Sequence, residues 1–376
     1  MRTFLIGLLI LLSLAACAPN AVPATTPTPS PVPLASSFMP TPVQTAEDIA
    51  WQKVVSDARK EGNLTLYANA FTGDIGTEIV RLFKEKYGIT VEIITGRGNE
   101  QIERMKTEQR IGNIVADVME SSSLNVLNAK DAGVVVSPGE LPVLREKNVW
   151  IVPPALDPEG NAFNYMASPI PVWASTKMRP EDEPRAWKDL LAPKWKGQMI
   201  MSDPVISSGP YLAFIPLLNN KLIDEDFLRA LGNQEVFLDV ASTRDIAKKV
   251  GAGQYLLGLG FSSNSAGAFI REGLPLKPLD MAEGVTVSGL GVAMVRKAPH
   301  PNAARLFLNW ALSAEGQAKL SQLTSAPGVR SDVPDFSVPE ARIKPKKLVP
   351  ATMKDMADAS RLFQEKYLVQ FFKKAR

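Results

Sequence analysis

The feature that most limits how this chain can fold is a rhythm: short β-rich runs alternate with helical stretches that end at glycine, and the rhythm runs twice. Trp51, Val54, Val55 and Ala58 mark a helix that stops at Gly62, and residues 64–67 read as a strand. Ile75, Ile79, Leu82, Phe83 and Tyr87 then share one helical face before Gly88, and residues 89–95 are β-rich again, which makes a βαβ unit. A polar helix around Ile102 and Met105, a strand at 115–119 and a helix through Leu124 and Leu127 to Gly133 extend it. The second round comprises a helix at Trp187, Leu190 and Leu191, strands at 198–202, 235–240 and 255–261, and helices at 211–218 and 246–250. Two doubly wound α/β lobes are therefore expected. Extended apolar segments at 170–176 and 285–296 are the candidates to cross between them, forming a two-strand hinge. The expected lobe boundaries are 47–171 for the first part of the N-lobe, 172–286 for the C-lobe and 287–325 for a return to the N-lobe. That return is read as one helix over 302–323, and 326–376 as a basic C-terminal extension.

The beginning of the chain is targeting rather than fold. Arg2 precedes an apolar run from Phe4 to Leu14, too short for a membrane span and the length of a secretory core, so residues 1–16 read as a signal peptide. The run ends in Leu14-Ala15-Ala16-Cys17, which resembles the lipobox of bacterial lipoproteins and holds the single cysteine of the sequence. That resemblance implies acylation of Cys17, palmitate among the chains, and a membrane-anchored, extracytoplasmic body, since two or more acyl chains hold a protein durably where one does not. Residues 17–46 carry no charge and are rich in Pro and Thr, so they read as an extended tether.

Composition narrows the function. The 42 basic and 39 acidic residues are interspersed, which argues against nucleic acid as a partner. One cysteine and one histidine leave no material for a disulfide framework, a zinc cluster or a nucleophilic triad. His300, in Ala-Pro-His-Pro, reads as a surface turn residue, and Trp173 and Tyr255 as core. Asp117, Glu120 and Asp203 do not form a catalytic set, so no enzyme activity, cofactor or metal is expected.

Several motifs, in order along the chain, carry a family likeness: residues 186–197 (AWKDLLAPKWKG), Ser202-Asp203-Pro204, Ser208-Gly209, residues 291–299 (GVAMVRKAP) and residues 312–317 (LSAEGQ). Together they resemble bacterial extracellular solute-binding proteins of the ferric-iron-binding type. The resemblance implies a type II periplasmic-binding-protein fold, a small-molecule solute in the interlobe cleft, an ABC permease as partner and a monomeric state. Iron-binding relatives clamp the metal with a His, a Glu and two adjacent Tyr. Here Phe71 stands at the His position, Ser122 near the Glu, and Ser262-Ser263 or Ser263-Asn264 at the tyrosines. Ferric iron wants anionic oxygen, which these residues lack, leaving Tyr67, Tyr165 and Tyr211 as the alternative phenolates.

In open α/β sheets ligands sit beyond the carboxyl ends of strands, where helix N-termini offer unpaired N–H groups. Four such junctions are rich in hydroxyls: Ser121 and Ser122; Ser207, Ser208 and Gly209; Ser242, Thr243 and Arg244; and Ser262, Ser263 and Asn264. Hydroxyl and amide donors on one cleft suit an oxyanion, with Arg97 or Arg244 as a bidentate contact for phosphate, phosphonate or carboxylate. The same residue types also serve as ordinary N-caps.

Overall fold

The computed structural model describes residues 45–204, 209–324, 326–343, 346–350, 365, 366 and 372. The leader, Cys17, the tether and the pair Ser207 and Ser208 lie outside the described residues.

Helix α1 (Ala46–Glu61) starts in a reciprocal cap: the Thr45 hydroxyl accepts the Asp48 N–H, and the Asp48 carboxylate accepts the Thr45 N–H. Gly62, at φ 68°, ends it in the left-handed conformation that glycine adopts without penalty. There follow β1 (Asn63–Ala68), α2 (Gly73–Tyr87), β2 (Thr90–Thr95), α3 (Gly98–Ile111), β3 (Val118–Ser122), α4 (Ser123–Asp131) and β4 (Val135–Val136). A long strand β5 (Ala162–Ile170) then runs through Pro171 into β6 (Val172–Ser175), which belongs to a different sheet. The remaining strands of that second sheet follow with the helices between them: β7 (Met199–Ser202), α5 (Gly209–Asn219), α6 (Glu225–Asn233), β8 (Phe237–Asp239), α7 (Thr243–Gly251), β9 (Leu257–Leu259), α8 (Ser263–Arg271) and β10 (Leu276–Leu279). The chain returns along β11 (Val285–Val295), and α9 (Pro301–Leu312), α10 (Ala314–Thr324) and β12 (Leu348–Pro350) follow.

The first sheet has the order β12-β11-β3-β1-β2, with β4 and β5 also paired to β11, and the second the order β10-β6-β9-β7-β8. Each is covered by helices, which gives two α/β lobes. Two strands carry the chain across, and they pair with each other: β5 and β11 run antiparallel from Thr286↔Ile170 to Ala293↔Ala162, with a register shift at Leu290/Gly291. The expected fold class is the observed one.

Packing accounts for where the local pattern misleads. The strand expected at 115–119 lies at Val118–Ser122, because Ser121 and Ser122 pair with Gly291 and Leu290 of β11, a partner far away in sequence. Asp117, fully buried, leaves the strand and accepts the N–H groups of Thr65 (2.7 Å) and His300 (2.6 Å). His300 is consequently no free turn residue: its Nδ1 lies 2.9 Å from the Asp117 carboxylate at the start of α9. The helix expected over 302–323 is two helices, broken where the Ser313 hydroxyl donates to Trp310 O and accepts the Gly316 N–H. Residues Trp187–Leu191 form one 3-10 turn, and α6 lay unread in the sequence. Trp173 is core, stacked on Phe261 at 5.5 Å with its indole N–H donating to Phe261 O.

Candidate ligand-binding cleft

Strands β3, β7, β8 and β9 end toward one place, and the helix after each begins there. Between the lobes lies a cleft of about 240 Å³. The N-lobe lines it with Ser122, Ser123 and Leu124 at the start of α4 and with Ser288, Gly289 and Leu290 of β11. Ile170, at the end of β5, adds an apolar patch. The C-lobe supplies Gly209 and Leu212 of α5, Thr243 of α7, and Gly260, Phe261, Ser262 and Ser265 at the start of α8. Six hydroxyls and four helix N-termini therefore converge, and no ionisable side chain is among the described lining residues.

Why the sequence folds this way is local chemistry. Ser122 and Ser262 are N-caps, accepting the Asn125 and Ser265 N–H groups at 3.3 and 3.4 Å, so their O–H protons are left to point elsewhere. The first amides of each helix have no intrahelical acceptor and carry the positive end of the macrodipole. Ser123 donates to Asn164 Oδ1 at 2.6 Å, and Ser288 to Ser168 O at 3.2 Å. Two glycines allow the walls to approach. A Cβ on Gly289 would fall 2.4 Å from Ser123 Oγ, and one on Gly260, at φ +75°, 2.8 Å from the backbone nitrogen of Pro210.

Of the residues singled out in the sequence, Ser122, Gly209, Thr243 and Ser262 meet in this cleft. The others among the described residues do not line it. Phe71 is buried, its ring 5.5 Å from Tyr165 and 6.2 Å from Phe307 in the N-lobe core. Ser121 is buried and accepts from Asn125 Nδ2 at 3.0 Å. Arg97 is exposed and 3.9 Å from Glu100; Arg244 pairs with Glu272 and lies over the Phe269 ring. Ser242 caps α7, bonding the Asp245 N–H and carboxylate. Ser263 faces a different cavity, and the Asn264 N–H donates to Ser168 Oγ at 2.9 Å. Ser288 and Gly289 were missed; their signal is a hydroxyl-glycine pair interrupting the apolar run of a crossing strand.

Behind the N-lobe wall, fully buried Glu120 accepts the N–H groups of Asn69 (2.9 Å) and Ala70 (2.8 Å) and the Tyr165 hydroxyl (2.8 Å). Burial raises its pKa, and those donors hold part of the rise back. Tyr165 is pushed well up by burial and by the Glu120 charge, and Tyr67 by burial and its hydrogen bond to Glu108.

Two lobes joined by paired crossing strands, with strand ends and helix starts facing a cleft lined by hydroxyls and apolar side chains, are the architecture of a two-lobed binding protein. The family model for bacterial extracellular solute-binding proteins matches residues 78–367, and the chain belongs to that family. Its members bind small solutes for ABC importers and deliver them to a permease. The chain is 27% identical over 261 residues to Iron uptake protein A1 of Synechocystis, covering 65% of this chain and 70% of that protein. In fold it is similar to the Trichodesmium FutA protein in complex with iron and citrate, with a TM-score of 0.66 and 21% identity, covering 81% of this chain and 99% of that one. It is likewise similar to AfuA from Actinobacillus pleuropneumoniae with bound fructose-6-phosphate, with a TM-score of 0.61 and 20% identity over 84% of this chain and 99% of that one. Both are two-lobed type II periplasmic binding proteins, the fold of this chain. Among the described residues no helix is long and apolar enough to cross a membrane.

Proposed function

We propose that this chain is the lipid-anchored substrate-binding protein of an ABC importer and that its cleft captures a small anionic solute bearing a phosphate, phosphonate or carboxylate group. One observation carries the reading: four helix N-termini and six hydroxyls face a cleft whose described lining has no charge of its own. A helix N-terminus favours an anion by about 1 kcal/mol in a partly buried setting, so four together supply a few kcal/mol without an arginine. A volume of about 240 Å³ is roughly that of eight waters, room for one acid group on a short carbon skeleton. Solute held by both lobes stabilises the closed form, the one a permease would recognise.

Bare ferric ion fits less well. Tyr67 and Tyr165 are buried, bonded to carboxylates and held in the neutral form, and neither lines the cleft. Among the described residues no group of three His, Cys, Asp or Glu could hold a metal. Iron carried as an anionic citrate chelate is the second reading, favoured by the likeness to Iron uptake protein A1 and to the Trichodesmium protein in complex with iron and citrate. A hydrolase would need a base beside one of the cleft hydroxyls, and the described lining offers none.

Calorimetric titration with sugar phosphates, phosphonates, carboxylates, ferric citrate and ferric ion decides among these. Tight 1:1 binding of a phosphate, phosphonate or carboxylate is expected. Stoichiometric ferric ion with a visible phenolate charge-transfer band would overturn the proposal. The anchor is tested separately: metabolic palmitate labelling and membrane fractionation should both be lost in Cys17→Ser.

A further inference from the structure

A second cavity, about 250 Å³, lies on the opposite face of the crossing ribbon from the cleft. Neighbouring residues of an extended strand point to opposite faces, so Ile170 and Ser288 reach the cleft while Pro169 and Val287 reach this rear cavity. Helix α8 divides in the same way, with Ser262 and Ser265 to the front and Ser263 to the rear. The outer wall is the segment after α10, which touches both lobes. On the N-lobe side Pro327 O accepts the Ala167 N–H (3.3 Å) and Val329 O the Ile151 N–H (2.8 Å). On the C-lobe side Val338 and Ala341 pack on Gly267 of α8, after which β12 returns to pair with β11 in the first sheet.

The walls state what fits. Ile151, Pro169, Val287 and Leu348 make them largely apolar. The ionisable side chains on the rim, Asp335 and Arg342, lie 3.6 Å apart and compensate each other, and Arg342 also donates to Ser337 O and Asp335 O. A charged occupant finds no counter-charge there. Ser263, 5% exposed, has a buried hydroxyl without a hydrogen-bond partner among the described residues. Such a group costs about 1–3 kcal/mol until an acceptor meets it.

We propose that the rear cavity binds a small neutral molecule, apolar except for one hydrogen-bond acceptor, and that its occupancy favours closure of the cleft. Bending about the ribbon that draws the front walls together draws the rear walls apart, so an occupant behind the ribbon opposes reopening. The coupling rests on the reading of the cleft as a closing trap; the site itself does not.

Cyclohexanone is a suitable probe, being a neutral apolar ring with one acceptor. Titrated into methyl-labelled protein without solute, it should give saturable NOEs to the methyls of Ile151, Val287 and Leu348 and none to those of Leu124, Leu212 and Leu290. Ser263→Ala should weaken it about fivefold, equivalent to ~1 kcal/mol, while leaving the melting temperature unchanged or raised because an unsatisfied group is removed. NOEs confined to the cleft methyls, or equal affinity in Ser263→Ala, overturn the site whether or not an anion binds in front. Small-angle scattering of the cyclohexanone-saturated protein should give a smaller radius of gyration; an unchanged or larger one overturns the coupling.

Discussion

The two walls of the cleft are built by different means. The C-lobe wall consists of helix beginnings: α5, α7 and α8 each present their first turn to the cleft. The N-lobe wall has one helix start, α4, and is otherwise the face of strand β11, set by pairing with β3 and β5 and by the register shift at Leu290/Gly291. The C-lobe therefore supplies most of the field that attracts an anion, and the N-lobe a surface of fixed shape.

The largest effect is expected behind the N-lobe wall. Glu120→Ala removes the acceptor for the Asn69 and Ala70 N–H groups and the Tyr165 hydroxyl, and should cost about 3 kcal/mol in urea unfolding because buried donors are left unsatisfied. Glu120→Gln keeps the shape and should cost less, and it also isolates the titration. Since burial raises the pKa of Glu120 in the folded protein, its contribution is fully present below the ordinary carboxyl value of 4.5 and is lost as pH rises through the raised value. Stability of the natural protein should thus fall with pH in a window opening at about 4.5, and Glu120→Gln should flatten that window.

The glycines test the walls themselves. Gly260→Ala puts a Cβ at φ +75° and 2.8 Å from the Pro210 backbone, so the start of α5 must shift; a loss of about 2 kcal/mol is expected, with weaker solute binding. Gly289→Ala sets a Cβ 2.4 Å from Ser123 Oγ and 2.5 Å from Asn164 Oδ1, breaking the bond between them. Solute affinity should fall about tenfold, or ~1.4 kcal/mol, with a smaller loss of stability. Should Gly289→Ala bind normally, the N-lobe wall does not shape the site.

What was legible in the sequence follows the same division. The C-lobe junctions could be read because a helix cap is local: Thr243 and Ser262 declare themselves by standing between an apolar run and a helical period. On the N-lobe wall only the cap Ser122 could be read in this way; Ser288 and Gly289 could not, because they face the cleft only through the pairing of β11 with β5, more than a hundred residues away. The same long-range pairing moved β3 three residues beyond its expected start, so Ser121 became a strand residue bonded to Asn125. Phe71 stands at a ligand position only by family resemblance, and an aromatic ring beside Tyr165 and Phe307 gains more from burial than from a cleft lined by hydroxyls. Arg97 and Arg244 carry a suitable charge, but surface carboxylates pair with them instead, Glu100 three residues on and Glu272 just after α8.

The caps compare the walls directly, because Ser262→Ala and Ser122→Ala remove the same group from opposite sides. Each should lower stability by about 1 kcal/mol as a lost N-cap. If the field comes chiefly from the C-lobe, Ser262→Ala should cost more affinity, about fivefold against about twofold, since its hydroxyl sits with Ser265 at the start of α8 beside the Thr243 and Gly209 helix ends. The smallest effect belongs to the arginines. Arg97→Ala and Arg244→Ala should each leave affinity within about twofold at physiological salt, because an exposed guanidinium already paired with a carboxylate projects little field into a cleft it does not line. A tenfold loss in either would move the source of attraction from helix ends to side-chain charge, and the contrast between the two walls would have to be drawn again around that arginine.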